Sequence, residues 1–168
     1  MAKEGRRGEK WAKRLRNGLV AAVAVLLAAG LFLANQAQQG RASLATLAAE
    51  AVPWEEALVN GKPSLVEFYA DWCTTCRSMA PLLANLKAEF AQQVNFVMLN
   101  VDNPKWLPEL SRYRVNGIPH FLFLDSQGEV VGSAIGEQPA SVLRANLLAL
   151  VAGDPLPLTQ AGPVSALQ

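Results

Sequence analysis

Cysteine is almost absent from this 168-residue chain, which has two, Cys73 and Cys76, and histidine is represented by His120 alone. A structural zinc site takes four ligands, commonly two cysteine pairs, so this inventory leaves such a site short. A copper-handling role for Cys73, Cys76 and His120 stays open, as does an unreactive buried pair. Charge is scarce as well: 17% of residues are charged against 51% hydrophobic. That balance suits a packed core on the apolar side of average. The length accommodates one domain of about 100 to 120 residues with attachments. No internal repeat interrupts that reading.

The few charges are unevenly spread. Residues 1–16 hold seven basic side chains against two acidic ones, while the remainder holds eight against twelve. A basic head on a mildly acidic body speaks against nucleic acid as partner and for a membrane. The next segment, Gly18 to Ala34, is 17 residues without a charged or strongly polar side chain. As a helix it spans about 26 Å, near the lower limit for crossing a bilayer. A cleavable signal peptide would show a small-x-small site after its apolar core, and "NQAQQGR" offers none. The segment therefore reads as an uncleaved single-pass anchor, with the basic head held inside and everything after Ala34 carried across. The expected layout is a basic head over 1–17, an anchor over 18–34, a stalk over 35–43, a domain over 44–153 and a disordered tail over 154–168.

Within the domain, "ASLATLAAEAVPWEEALVNGKP" reads as two helical pieces broken at Pro53. "SLVEFYA" is a short, nearly continuous apolar run, as expected of a strand covered on both faces. Alternation places Leu65, Glu67 and Tyr69 on one face, with Val66, Phe68 and Ala70 on the other. From Cys73 the period changes: Met79, Leu82, Leu83, Leu86 and Phe90 mark a helix, with Pro81 inside it as a kink. "VNFVMLNV" predicts a second buried strand, and "PKWLPELSRYRV" a short helical connection turned inward at Trp106, Leu110 and Tyr113. "HFLFL" and "EVVGSAI" flank "DSQG" as an antiparallel hairpin with Gly128 at its turn. A last helix starts with Pro139 at its first position and stops at Gly153. The order β–α–β–α–β–β–α predicts an α/β fold: a mixed sheet with helices on both faces, its first two strands parallel and its last pair antiparallel.

The chemistry concentrates in "EFYADWCTTCRSMAP", residues 67–81. A cysteine at a helix N-terminus meets unpaired N–H groups and the positive end of the helix dipole, and both stabilise a thiolate. Two intervening residues let the second sulfur reach the first within one turn. Cys73 is thus expected to be the exposed nucleophile and Cys76 the buried thiol that resolves a mixed disulfide. Glu67, a carboxylate in an apolar strand, is costly to ionise unpaired, so its pKa is expected to rise. From behind the motif it is suited to take the proton of Cys76. The bland alternative puts Glu67 at a strand edge reaching water. Trp54 and Trp106 read as packing residues, Asp71 and Arg77 as exposed charges. His120 reads either as a substrate-facing neighbour or as a pH-sensitive group.

These residues resemble the thioredoxin family: "WCTTC" is similar to its W-C-x-x-C motif, Pro81 to its helix-kinking proline, and "GIPHF" to its isoleucine–cis-proline segment. The resemblance implies a thioredoxin fold, a cis bond before Pro119, and a substrate-binding role for Trp72, Ile118 and Pro119. Glu67 stands where thioredoxins have a buried aspartate. Longer blocks, "VEFYADWC", "NFVMLNVDNPKW" and "GIPHFLFLD", together with the anchor, are similar to membrane-anchored thylakoid thioredoxin-like proteins of the TxlA group. That resemblance implies a redox domain in the thylakoid lumen, or across a plasma membrane in the periplasm. It also implies a part in assembly of cytochrome b6f and c-type cytochromes. Expected partners are clients with cysteine pairs, apocytochromes among them, and a CcdA-type membrane thiol carrier as electron donor. No cofactor is implied beyond the redox-active Cys73–Cys76 disulfide.

Three departures separate the chain from the common pattern. Thr74-Thr75 replaces Gly-Pro, Met98 stands in place of a lysine that neighbours the buried acid, and Tyr69 replaces a tryptophan. The direction of exchange, as reductant or as disulfide donor, stays open on the residues alone, and so does a non-catalytic metal-chaperone or interaction role.

Overall fold

The computed structural model describes residues 16–33 and 43–157. The basic residues before Arg16, most of the stalk and the tail beyond residue 157 lie outside the described residues. Helix α1, Arg16–Leu33, has 18 residues and a mean hydropathy of 1.9, which makes it long and apolar enough to cross a membrane. Arg16 and Asn17, ahead of the apolar run, are already helical.

The second unit carries α2 (Leu44–Ala49), α3 (Trp54–Ala57), β1 (Ser64–Tyr69), α4 (Thr74–Phe90) and β2 (Asn95–Asn100). A 3₁₀ turn at Pro104–Trp106 leads into α5 (Leu107–Arg112), β3 (His120–Leu124), β4 (Val130–Ile135) and α6 (Ala140–Ala152). The strands form one sheet in the order β2-β1-β3-β4. β1 and β2 run parallel, joined through α4, while β1–β3 and β3–β4 are antiparallel. The mixed sheet expected from the element order is the one found.

Local chemistry explains the boundaries. The hydroxyl of Ser43 accepts the N–H of Thr46 and starts α2. Pro53 pushes Val52 out of the helical region, and the freed Val52 N–H donates instead to the carbonyl of Phe96, 2.9 Å away. Gly153 ends α6 in the left-handed region at φ 73°, where Asp154 N–H closes onto the carbonyl of Ala149. Pro139 caps α6 from one residue before its first turn rather than occupying it.

The sheet separates two apolar clusters. One packs α4, α2 and α6 against Leu65, Tyr69, Phe121 and Phe123. The other packs Trp54, Tyr113 and the α5 region against Val66, Phe68, Leu122 and Leu124. Trp54 meets Tyr113 edge-on at 6.1 Å, and Trp106 is half-buried beside them, so both tryptophans do pack. Ala70 departs from the expected alternation and joins the α4 side. The strand ends at Tyr69, and the chain is already turning toward the cysteines.

Candidate active site

The end of β1 delivers the two cysteines to the start of α4. The N–H of Cys73 donates to the carbonyl of Ala70 at 3.1 Å, which tightens the turn out of the strand. Cys73 is then the N-cap of α4, with extended backbone at φ −70° and ψ 108°. Its Sγ accepts the N–H of Cys76 at 3.1 Å, satisfying one of the donors that every helix start leaves unpaired. The two sulfurs are joined as a disulfide across a Cα–Cα distance of 5.3 Å. When that bond is reduced, the same N–H and the helix dipole favour negative charge on Cys73 over Cys76. One turn further on, Pro81 lies inside the helix, where it removes the donor for the carbonyl of Arg77.

Cys73 is more covered than expected. It is 6% exposed and Cys76 0% exposed, so the pair differs in degree rather than as exposed against buried. The reason is local: as N-cap and disulfide partner, its sulfur lies folded over the first helical turn.

Beside the pair stands Trp72, 64% exposed, an unusual state for so large an apolar ring. Its indole N–H donates to Oδ2 of Asp102 at 2.9 Å. Asp102 in turn donates its backbone N–H to Oδ1 of Asn100, whose Nδ2 reaches Oδ2 of Asp71 at 3.4 Å. These bonds tie the loops after β1 and β2 together and hold the ring in place. Tyr69 adjoins them, its phenol pKa raised mainly by burial and further by the Asp71 charge. Across the loop before β3, the Ile118–Pro119 bond is cis. Ile118 is half-buried against the cluster that contains Cys73 and Cys76, and Pro119 is buried. Asp102 escaped the sequence reading because its partner lies thirty residues away, with only the quoted block "NFVMLNVDNPKW" to mark it.

Glu67 occupies the middle of β1, opposite Met98 on β2 and Phe121 on β3. It is 2% exposed, and neither carboxylate oxygen has a hydrogen-bond partner. Burial alone pushes its pKa up to about 8, so the strand-edge alternative does not hold. The side chain borders a cavity of about 10 Å³ that Leu47, Leu83, Lys87, Phe96 and Met98 also line. Met98 does stand across from the acid, as its position suggested, and Lys87 of α4 was not foreseen.

His120 is also buried, but it pairs across the sheet with Phe68 and sits edge-on to that ring at 5.9 Å. It therefore belongs to the face opposite Cys73 and Cys76, and neither a substrate-facing position nor a copper site shared with the cysteines is found. Its pKa is lowered by desolvation, which keeps it neutral. Among the described residues, no three His, Cys, Asp or Glu side chains gather as a metal site.

Comparison with known proteins adds the lineage. Residues 44–149 match the thioredoxin family model. The chain is 55% identical over 144 residues to the thiol:disulfide interchange protein TxlA homolog of Synechocystis sp., covering 86% of this chain and 80% of that protein. It is 52% identical to the thiol:disulfide interchange protein TxlA of Synechococcus elongatus, covering 88% and 78%. It is 48% identical to the chloroplastic thioredoxin-like protein HCF164 of Oryza sativa, over 81% of this chain and 52% of that longer protein. The family match contains both cysteines and every strand of the sheet, so the chain belongs to the thioredoxin family, as a TxlA-like thiol:disulfide interchange protein with protein thiol–disulfide oxidoreductase activity.

Proposed function

We propose that the protein is a membrane-anchored reductant that keeps the cysteine pairs of client proteins reduced on the far side of its membrane. The observation that carries this reading is the placement of Cys73 Sγ at the cap of α4, accepting the N–H of Cys76. In the reduced protein, the Cys73 thiolate attacks a client disulfide, forming a mixed disulfide and releasing one client thiolate. Cys76, losing its proton to Glu67 when that side chain is in its carboxylate form, then attacks the Cys73 sulfur. The Cys73–Cys76 disulfide forms, the second client thiolate leaves, and two electrons have passed to the client. The disulfide is the only redox group the cycle needs. Trp72, Ile118 and Pro119 form the rim against which the client chain docks.

Charge and kinship support the location. The basic head stays on the cytoplasmic side, α1 spans, and the redox domain faces a thylakoid lumen or a periplasm. A relative that is chloroplastic by name supports the thylakoid. Apocytochromes awaiting cofactor attachment, including those of cytochrome b6f, are the clients that suit such a reductant, and a CcdA-type thiol carrier is the matching electron donor.

Cys76→Ser in the full-length protein tests this. The variant should accumulate mixed disulfides through Cys73, and their identification should return cysteine-paired lumenal proteins. Cys73→Ser should abolish both the adducts and insulin reduction. Equilibration with a dithiol buffer should give a potential near or below about −270 mV; a value near about −120 mV would make the protein a disulfide donor instead.

A further inference from the structure

The tripeptide Val-Asn-Gly occurs twice, as Val59-Asn60-Gly61 before β1 and as Val115-Asn116-Gly117 before β3. Asparagine followed by glycine is the pair most prone to lose its side-chain amide, because a residue without a Cβ leaves its backbone nitrogen open to the neighbouring side chain. A third pair, Asn17-Gly18, lies inside helix α1, a conformation that keeps the glycine nitrogen away from the preceding amide. Asn60 and Asn116 both stand outside regular structure and both are exposed, so neither feature separates them. Hydrogen bonding does.

Asn60 is fastened. Its Oδ1 accepts the N–H of Lys62 at 3.0 Å and Nδ2 of Asn95 at 3.0 Å, while its own Nδ2 donates to Oδ1 of Asn95 at 2.9 Å. Asn95 is buried at the start of β2 and also donates to the hydroxyl of Ser64, so the fastening is part of the interior. Three hydrogen bonds must break before the Asn60 amide can swing onto Gly61. Asn116 is loose. Among the described residues its side chain makes no hydrogen bond, and the N–H of Gly117 makes none either. The stretch is held at its ends, where Val115 N–H donates to the Leu110 carbonyl at 2.9 Å and the Pro119 carbonyl accepts Gly136 N–H at 2.8 Å. A Cβ on Gly117 would come within 3.2 Å of Cγ2 of Ile135, so packing favours the glycine that leaves Asn116 vulnerable.

We propose that Asn116 is a self-modification site, converted to aspartate and isoaspartate in the folded protein beside its own client-docking rim. The Gly117 nitrogen bonds to the carbonyl carbon of the Asn116 side chain, and the bond from that carbon to the amide nitrogen breaks. Ammonia leaves, carrying the proton that the Gly117 nitrogen gave up, and a succinimide ring remains. Water then opens the ring at one of its two carbonyls, giving aspartate or isoaspartate. One water is consumed and one ammonia released, with nothing oxidised or reduced. Either product sets a negative charge two residues ahead of Ile118, and isoaspartate also adds a carbon to the backbone path. The consequence for exchange rests on the docking role given to Ile118 and Pro119: a displaced rim weakens client reduction while Cys73 keeps its reactivity.

To test this, the full-length protein in detergent is held at mildly alkaline pH, with and without urea, and peptide mapping by mass spectrometry follows amide loss at both asparagines. In the folded protein Asn116 should convert, and Asn60 should lag by about a hundredfold, the factor that three hydrogen bonds supply when all must break first. In urea the identical tripeptides share one environment, and their rates should agree within about threefold. An Asn116 that stays intact in the folded protein while the unfolded chain converts, or folded-state rates alike at both positions, would overturn the proposal. Asn116→Gln keeps an amide but requires a larger, less favourable ring, so it serves as the variant that does not age. Fresh, it should reduce insulin as the wild type does. After ageing, kcat/KM of the wild type should have fallen by about tenfold or more, with the variant unchanged and alkylation of reduced Cys73 unchanged in both. Equal losses in both proteins, or none in either, would remove the consequence for docking. If Asn116 converts as expected while no fresh protein exchanges disulfides, the functional reading fails and the modification site stands.

Discussion

On the α4 face of the sheet, Glu67 lies buried between Leu65 and Tyr69; on the opposite face, His120 lies buried against Phe68. The two side chains are neighbours in register, since Glu67 faces Phe121 and His120 faces Phe68 across the same pair of strands. Both lack a hydrogen-bond partner, and burial holds both in their neutral form. What differs is the company. Glu67 shares its side with the cysteines and borders a small cavity that Lys87 also lines, whereas His120 sits edge-on to the Phe68 ring. Similar desolvation thus yields a group poised to move a proton on one face and a silent one on the other. Burial sets the protonation state, and the neighbours decide whether it is used.

The harshest way to break the comparison is to open each face. Phe121 and Phe68 are both fully buried, so Phe121→Ala and Phe68→Ala should each cost about 3–5 kcal/mol in urea unfolding. The side effects should not cross. Phe121→Ala admits water toward Glu67 and should lower its pKa, leaving His120 neutral. Phe68→Ala admits water toward His120 and should raise its pKa, leaving Glu67 protonated. NMR titration of both groups in both variants checks this, and a shift of the group on the far face would erase the distinction.

A gentler change acts through pH. Glu67 has its pKa raised from 4.5 to about 8, so the folded protein binds a proton that the unfolded chain has released. Its contribution to stability is complete below 4.5 and is lost as pH climbs to about 8. His120 acts in the opposite sense. Its pKa is lowered from 6.5, so its contribution is complete above that value and is lost as pH falls through the folded value. Just below 6.5 the two slopes oppose each other, and between 6.5 and 8 the Glu67 slope acts without that opposition. That remaining limb amounts to about 2 kcal/mol, at roughly 1.4 kcal/mol for each pH unit. Glu67→Gln should abolish it, making the variant the more stable protein at alkaline pH while slowing resolution of a trapped mixed disulfide. An alkaline limb that survives in Glu67→Gln would place its origin elsewhere.

Which side of this comparison was legible beforehand depends on sequence separation. The strand around Glu67 announced itself as an apolar run interrupted by one carboxylate, and the helix as the spacing of Met79, Leu83, Leu86 and Phe90. Gly128 and Gly153 marked turns because their φ values, 80° and 73°, suit glycine. The sheet order was not legible, because pairing β1 with β3 spans more than fifty residues and local pattern is indifferent to it. For the same reason Lys87 and Glu50, thirty-seven residues apart, gave no sign that they meet. His120 had even odds: "HFLFL" alternates, but only its register with Phe68 says which face the ring takes. Cys73 was misjudged in degree because the sequence shows a helix start and not how far the cap folds over it.

The smallest expected effect comes from removing the silent group. His120→Leu fills the space with an apolar side chain that needs no partner, so packing against Phe68 is retained. Disulfide exchange should change by less than about twofold, which is under about 0.5 kcal/mol in activation free energy. Stability should respond where exchange does not. With the opposing His120 slope gone, the decline caused by Glu67 should run unopposed below 6.5, lengthening the falling limb toward acid. Thermal unfolding in steps from pH 4 to 9 would reveal it as a melting temperature that falls more steeply just below pH 6.5 than in the wild type. If His120→Leu instead slowed exchange as much as Glu67→Gln, the ring would be reaching the cysteines through the sheet, and the two faces would have to be treated as one site.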